Sequence, residues 1–225
     1  MDAKLGAATS LEDFERKAQL MNYETHRAIM EGMNAGLWTS TSGRTLWMTQ
    51  PAWGSTMWQI LSHDYDTHAS YYGFKHAAEP VHAQMTLPDH RLQLVNNTGA
   101  AVAGRLSARV VALDGRALGT FGGPVRAEAG QMADGATLDL AALLAREGAV
   151  VVAVDAVDAG GAALSHNVYW VARDAAGSRK LNGMPAQPIK LTATIYRSGF
   201  EPIARRGGPE EHVQAVVTNM APSRH

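Results

Sequence analysis

The sequence predicts an α/β unit followed by an all-β region: the terminal βα unit or units of a (β/α)8 barrel, then an antiparallel β-sandwich. Three observations predict it. Residues 11–33 carry apolar side chains at helical spacing, and residues 45–66, TLWMTQPAWGSTMWQILSHDYD, combine a short β-prone run with a tryptophan-rich loop. From Leu87 onward, apolar residues alternate with period two between turn signals. Three segments are expected: 1–86, the carboxyl-side end of a barrel; 87–185, the sandwich; and 186–225, a linker and the truncated start of a further β domain. The first boundary is placed near Thr86–Asp89.

Composition bounds the rest. The 225 residues suffice for one large domain or two small ones. Hydrophobic content of 46% and charged content of 18% describe a folded globular chain rather than a disordered one. A formal net charge of −1, with no basic run, argues against nucleic acid as a partner. No apolar run approaches the length that spans a bilayer, so no membrane partner is expected. MDAKLGAATS has no apolar stretch of signal-peptide type, which leaves localisation open. The absence of cysteine excludes disulfides, thiolate nucleophiles and cysteine metal ligands.

Thr9–Ser10 followed by Glu12 and Asp13 reads as a helix start, with carboxylates at the positive end of the dipole. Leu11, Phe14, Ala18, Met21, Thr25 and Ala28/Ile29 then recur on one apolar face, and Asn34 and Gly36 supply the stop. That face is expected to pack on something large. Tyr23, Glu24, His26 and Arg27 read as structural polar groups at a helix seam. Thr45–Met48 reads as a strand buried on both faces, ended by Pro51, with residues 52–58 as the loop beyond its carboxyl end. A second helix is expected over His68–Gln84, broken or ended near Pro80.

In the β region, Leu92/Leu94, Leu106/Ala108/Val110, Val150/Val152/Val154 and Ile189/Leu191/Ala193/Ile195 mark strands. Asn97–Gly99, Asp114–Gly115, Asp134–Gly135, Asp158–Gly161 and Ala176–Gly177 mark turns, as does the glycine patch Gly119–Gly123. Leu138–Glu147 fits a strand end and a short helical turn. Trp170 reads as a core or inter-domain anchor. His212–Asn219 reads as an isolated strand, which joins the sandwich or opens a further domain.

Four of the five tryptophans, Trp38, Trp47, Trp53 and Trp58, fall in or beside the stretch 45–66. An indole offers a flat apolar face and one N–H donor, suited to stacking on a sugar ring or to filling a core. Trp58 is read as core packing. His63, Asp64, Asp66 and His68 form a string with metal-ligand chemistry, but a hydrogen-bonded turn is the simpler reading, and no metal or cofactor is expected. Glu79, beside Pro80, is read as a cap or ion-pair partner.

The run NYETHRAIMEGMNAGLW, then LWMTQPAWGSTMWQILSHDYDTHASYYGFKHAAEPVHAQM, resembles the end of the catalytic barrel of glycoside hydrolase family 2. The likeness is to the branch containing exo-β-D-glucosaminidases, β-mannosidases and endo-β-mannosidases. There an aromatic strand precedes a Tyr-Gly-X-Lys helix and a Glu-Pro pair, here Tyr72, Gly73, Lys75, Glu79 and Pro80. LVNNTGAAVAGRLSARVVALDG and HNVYWVA resemble the immunoglobulin-like sandwich that follows, and LNGMPAQPIKLTATIYRSG the linker into the last domain.

The resemblance implies a retaining β-glycosidase acting on β-linked glucosaminides or mannosides in carbohydrate catabolism. Such an enzyme needs an acid/base and a nucleophile about 5–5.5 Å apart, and both belong to an earlier part of the barrel. No residue here matches either motif, so no catalytic residue is assigned. What carries over is substrate binding: Trp47 matches the platform tryptophan, and Gln50 and Trp53 match the loop that follows. The family more often has Asn before the second tryptophan, which weakens a hydrogen-bonding role for Gln50. The implied partners are a carbohydrate and the missing amino-terminal half of the barrel. Family members commonly work outside the cytoplasm. The alternatives are one subunit of a split glycosidase and a non-catalytic carbohydrate-binding or structural module.

Overall fold

The computed structural model describes residues 1–55, 59–184, 189–197 and 211–219. The chain divides into two units, Met1–Gly183 and Met184–His225. No described helix is long and apolar enough to cross a membrane.

The first unit opens with a short helix α1 (Asp2–Leu5) and a long one, α2 (Leu11–Asn34). Ser10 starts α2: its backbone is extended and its Oγ accepts from Asp13 N–H at 3.1 Å, while Thr9 N–H donates to Asp13 Oδ2 at 3.1 Å. This exchange satisfies donors that have no partner inside the helix. Lys17, nearly buried, donates to Asp13 and to the Ala7 carbonyl at 2.7 and 3.0 Å, tying α2 to the chain before it. Helix α3 (Ala69–Ala77) lies against α2. The contact is closest at Gly73, where an added Cβ would stand 2.5 Å from the Tyr23 carbonyl oxygen. Only a glycine lets the two backbones meet there.

Seven strands follow in two antiparallel sheets. Strands β1 (Val81–Met85), β2 (Arg91–Asn96) and β5 (Gln131–Thr137) form one, in the order β1-β2-β5. Strands β3 (Val102–Ala112), β4 (Ala117–Ala127), β6 (Ala149–Asp158) and β7 (Ala163–Ala172) form the other, in the order β4-β3-β6-β7. The period-two residues face inward: Ala83, Met85, Leu92 and Leu94 from the first sheet pack with Leu106, Val110, Val150, Val152 and Val154 from the second. Each of these fully buried Met, Leu and Val side chains removes enough apolar surface from water to be worth about 1.5–3 kcal/mol. Leu138, Leu140 and Leu144 join this core, the last on a short helix α4 (Ala141–Glu147).

The other side of β1 is polar. His82 and Gln84 are fully buried and face the polar stripe of α2. Gln84 accepts from Asn34 Nδ2 at 3.1 Å and donates to Gln93 Oε1 at 2.9 Å, and Gln93 donates to Asp134 at 2.8 Å. Side chains of β7 meet the backbone of β1: Ala83 N–H donates to Ser165 Oγ at 3.0 Å, Asn167 Nδ2 donates to the Ala83 carbonyl at 3.2 Å, and Met85 N–H donates to the Tyr169 hydroxyl at 2.9 Å. These bonds satisfy backbone groups that would otherwise be buried without partners.

Several expectations are corrected. Thr45–Met48 forms no strand: a parallel strand needs neighbours to complete its ladder, and no described strand lies beside it. The helix expected to reach Gln84 stops at Ala77, and Val81–Met85 is strand β1, paired with β2 across the expected boundary near Thr86–Asp89. On α2 the buried residues are Lys17, Arg27, Glu31 and Asn34, whereas Leu11, Phe14 and Ile29 of the expected packing face are 80%, 49% and 44% exposed. Two turn assignments are strands. Gly135 lies within β5, where a Cβ would press on Leu106 and Leu92 at 3.1 and 3.3 Å. The patch Gly119–Gly123 lies within β4, where Gly122 has φ +127° and a Cβ would sit 2.3 Å from the Leu106 carbonyl. Ala176–Gly177 lies in a helix, α5 (Ala175–Arg179). Trp170 is 38% exposed rather than a core residue. The expectation for Trp58 falls outside the described residues.

In the second unit, β8 (Ile189–Arg197) pairs antiparallel with β9 (Glu211–Asn219), from Ile189↔Asn219 to Arg197↔Glu211. The strand expected to be isolated therefore has a partner, and neither belongs to a sheet with β1–β7.

Candidate functional site

The tryptophan-rich segment runs from the end of α2 to the start of α3 and is held by polar contacts rather than by a ladder. Arg44 donates to the Met30 carbonyl at 3.1 Å and to Asn34 Oδ1, fixing the start of the segment to the last turn of α2. Leu61 N–H donates to the Thr49 carbonyl at 3.0 Å, and Leu61 bridges Thr67. Gln19 Oε1 accepts from Ala69 N–H at 2.8 Å, tying the beginning of α3 to α2.

On this frame Trp47 is 79% exposed and Trp53 is 72% exposed. Trp47 lines a groove of about 780 Å³ with Ile29, Met30, Met33, Tyr71 and Phe74, while Gln50 and Trp53 are not among its walls. Gln50 donates through Nε2 to the His63 carbonyl at 2.9 Å, so its carboxamide holds the far side of the loop. An exposed indole beside an apolar groove has the chemistry of a stacking surface for the C–H face of a sugar or for another apolar body.

Residues 62–68 form a hydrogen-bonded turn. Ser62 N–H donates to the Asp66 carbonyl at 2.9 Å, Asp66 N–H to Ser62 Oγ at 3.0 Å, and Ser62 Oγ to Asp64. The Ser62 hydrogen bond holds the exposed Asp64 carboxyl below its ordinary range. Asp66 Oδ1 accepts from Thr67 N–H at 2.9 Å.

A second polar centre lies where α2 meets the sheets. Arg27 donates to Asn167 Oδ1 at 2.9 Å, to the Val168 carbonyl and to Glu24 at 2.7 Å, with its guanidinium 4.4 Å from the Tyr169 ring centroid. Glu31 Oε1 accepts from Asn167 Nδ2, Tyr169 hydroxyl and His82 Nε2 at 2.7, 2.9 and 3.0 Å. Burial, aided by the Glu31 charge, pushes the Tyr169 hydroxyl well above its ordinary pKa. Burial also raises Glu24, against the opposing charge of Arg27.

Next to this centre, His76, Glu79 and His82 gather donor atoms that all lie within 4.8 Å of one another. Glu79 accepts from Ser165 Oγ at 3.3 Å, which agrees with a structural partner role for that carboxylate. Sequence reasoning missed the grouping. Its spacing, H-x-x-E-x-x-H, crosses from the end of α3 into β1 and follows no single helical or strand face.

No family model matches the sequence. The exo-β-D-glucosaminidase of Streptomyces avermitilis is 34% identical over 174 residues, covering 75% of this chain and 19% of that protein. The mannosylglycoprotein endo-β-mannosidase of Lilium longiflorum is 42% identical over 93 residues, 41% of this chain and 10% of that one. The exo-chitosanase CsxA of Amycolatopsis orientalis superposes with a TM-score of 0.79 at 27% identity, over 88% of this chain and 26% of that structure. A β-D-mannosidase from Dictyoglomus thermophilum shares the fold with a TM-score of 0.66 at 14% identity, over 87% of this chain and 23% of that structure. The chain spans 10–19% of the length of these two curated relatives. With sequence likeness to an exo-β-D-glucosaminidase across three quarters of its length, the chain belongs to glycoside hydrolase family 2.

Proposed function

We propose that this chain is a carboxyl-side portion of a retaining exo-β-glycosidase that releases β-linked glucosamine or mannose from the non-reducing end of its substrate. In this reading residues 1–80 are the end of the catalytic barrel, β1–β7 are an immunoglobulin-like sandwich, and β8 and β9 begin a further β domain. The single observation that carries it is the likeness to exo-β-D-glucosaminidase, which runs over 174 residues. The exposed apolar residues of α2 support it, because Leu11, Phe14 and Ile29 are the surface that the rest of a barrel would cover.

The chain's contribution to chemistry is binding. Trp47 offers its indole face to the sugar ring, Trp53 is a second exposed indole on the same segment outside the groove, and Gln50 braces the loop. The chemistry itself needs two carboxyl groups about 5–5.5 Å apart, one protonating the leaving oxygen and one attacking the anomeric carbon. Asp64 and Asp66 are tied into one turn and take neither role. The isolated chain is therefore expected to bind glucosamine oligosaccharides weakly and to release no p-nitrophenol from p-nitrophenyl β-D-glucosaminide or β-D-mannoside. Turnover by the isolated chain would overturn this division of labour.

A further inference from the structure

We propose that His76, Glu79 and His82 form a binding site for one divalent metal ion, zinc by the donor set, which fastens the end of α3 to the first strand of the sandwich. The inference is independent of the sugar-binding reading and concerns a different part of the first unit.

The argument rests on where the protons of two imidazoles must be. His82 is fully buried, and its Nε2 lies 3.0 Å from Glu31 Oε1. A carboxylate oxygen only accepts, so Nε2 carries the hydrogen, and neutral His82 has its lone pair on Nδ1. That Nδ1 is buried without a hydrogen-bond partner and stands 3.6 Å from Glu79 Oε2. His76 has the same arrangement: its Nε2 lies 2.7 Å from the His166 carbonyl, another acceptor, which leaves the lone pair on Nδ1. The two rings are 5.5 Å apart between centroids and nearly perpendicular. The unpartnered Nδ1 of His82 thus faces the Glu79 carboxylate, with a ring nitrogen of His76 within 4.8 Å of both, and a lone pair facing a carboxylate is repulsive unless a proton or a cation lies between them.

The outer contacts have the form that metal-binding histidines use. Each ring's remote N–H is fixed by a carboxylate or a backbone carbonyl, which sets the tautomer and raises the basicity of the ligating nitrogen. Two imidazoles and one carboxylate suit zinc, with a fourth position for water or another oxygen. Tetrahedral ligands at about 2.0 Å from zinc lie roughly 3.3 Å apart; His82 Nδ1 and Glu79 Oε2 are already 3.6 Å apart, and all three donor atoms lie within 4.8 Å of one another. Binding has a cost, because Tyr23 hydroxyl now occupies His76 Nδ1 at 2.6 Å and must leave it.

The test is a titration of the full-length, metal-free chain with Co2+, read by visible absorption, followed by displacement with Zn2+ and a melting curve with and without Zn2+. One equivalent of cobalt should give the intense bands of a four-coordinate ion, zinc should bleach them, and zinc should raise the melting temperature. Because His82 also holds Glu31, its substitution disturbs the core, so the decisive variants are Glu79→Gln and His76→Gln. Each should weaken cobalt binding at least tenfold, and Glu79→Gln should leave the metal-free melting temperature in place. His63→Gln should change nothing. A titration with no saturable cobalt spectrum overturns the proposal, as does binding that survives both decisive variants.

Discussion

The Tyr169 hydroxyl donates to Glu31 Oε1 at 2.9 Å while accepting from Met85 N–H at 2.9 Å, so one side chain joins the long helix to the edge of a sheet. Removing it in Tyr169→Phe leaves a buried backbone N–H and a buried carboxylate each short of a partner. That change is expected to cost about 1–3 kcal/mol in urea unfolding. Glu31→Ala should cost more, about 3–5 kcal/mol, because it leaves the buried Arg27 charge with Glu24 alone and strips Asn167, Tyr169 and His82 of their shared acceptor. Equal and negligible effects of the two variants would contradict the account of this seam.

The same hydroxyl gives a pH dependence. Its folded-state pKa lies above the unfolded value of about 10, so the native state holds its proton more firmly. The stability this contributes is complete below about pH 10 and is lost as pH rises through the folded value. Stability measured from pH 8 upward should fall more steeply in the parent chain than in Tyr169→Phe.

At the other end of α2 the sign reverses. Hydrogen bonds from Lys17 and then Arg16 hold the partly buried Asp13 carboxyl well below its ordinary range. Its contribution is present above about pH 4, the unfolded value, and is lost as pH falls through the folded one. An NMR titration of the Asp13 carboxyl should place its midpoint below that of a free aspartate, and Lys17→Met should move it up.

Two glycines separate close approach from simple helix propensity. Gly73→Ala would place a Cβ 2.5 Å from the Tyr23 carbonyl and should destabilise the chain by forcing α3 away from α2. Gly32, on the exposed side of α2, has nothing within 4 Å of an added Cβ. Gly32→Ala should therefore be stabilising by about 0.5–1 kcal/mol through helix propensity. Comparison of the two melting temperatures checks both.

Much of this arrangement is written in local chemistry. Ser10 with Asp13, and Asn34 with Gly36, bound α2 to within a residue, because caps are short-range features. The alternating apolar residues of β2, β3 and β6 mark strands whose inner faces build the core. Strand β1 was harder to read. His82 and Gln84 belong to a buried polar seam, and the residues before them suit a helix, so the change of structure at Pro80 leaves only a weak mark. Gly122 and Gly135 look like turn residues, yet they serve close packing against Leu106, a tertiary requirement that composition does not reveal. The burial of Arg27, Glu31 and Asn34 likewise depends on partners between 43 and 141 positions away in the chain. Among the candidate binding residues, Trp47 and Trp53, both with exposed indoles, were legible as candidates from type and position. The bond from Gln50 to the His63 carbonyl was not, since it depends on how the loop folds back on itself.

The most direct measurement uses the Streptomyces avermitilis exo-β-D-glucosaminidase with this chain in place of the 174 residues it matches. The account predicts that the chimera releases glucosamine from chitosan oligosaccharides, and that Trp47→Ala weakens kcat/KM roughly tenfold or more, a loss of about 1.4 kcal/mol. A folded chimera without turnover, or one whose kcat/KM ignores the loss of Trp47, would contradict the claim that this chain supplies the sugar-binding wall of a family 2 glycosidase.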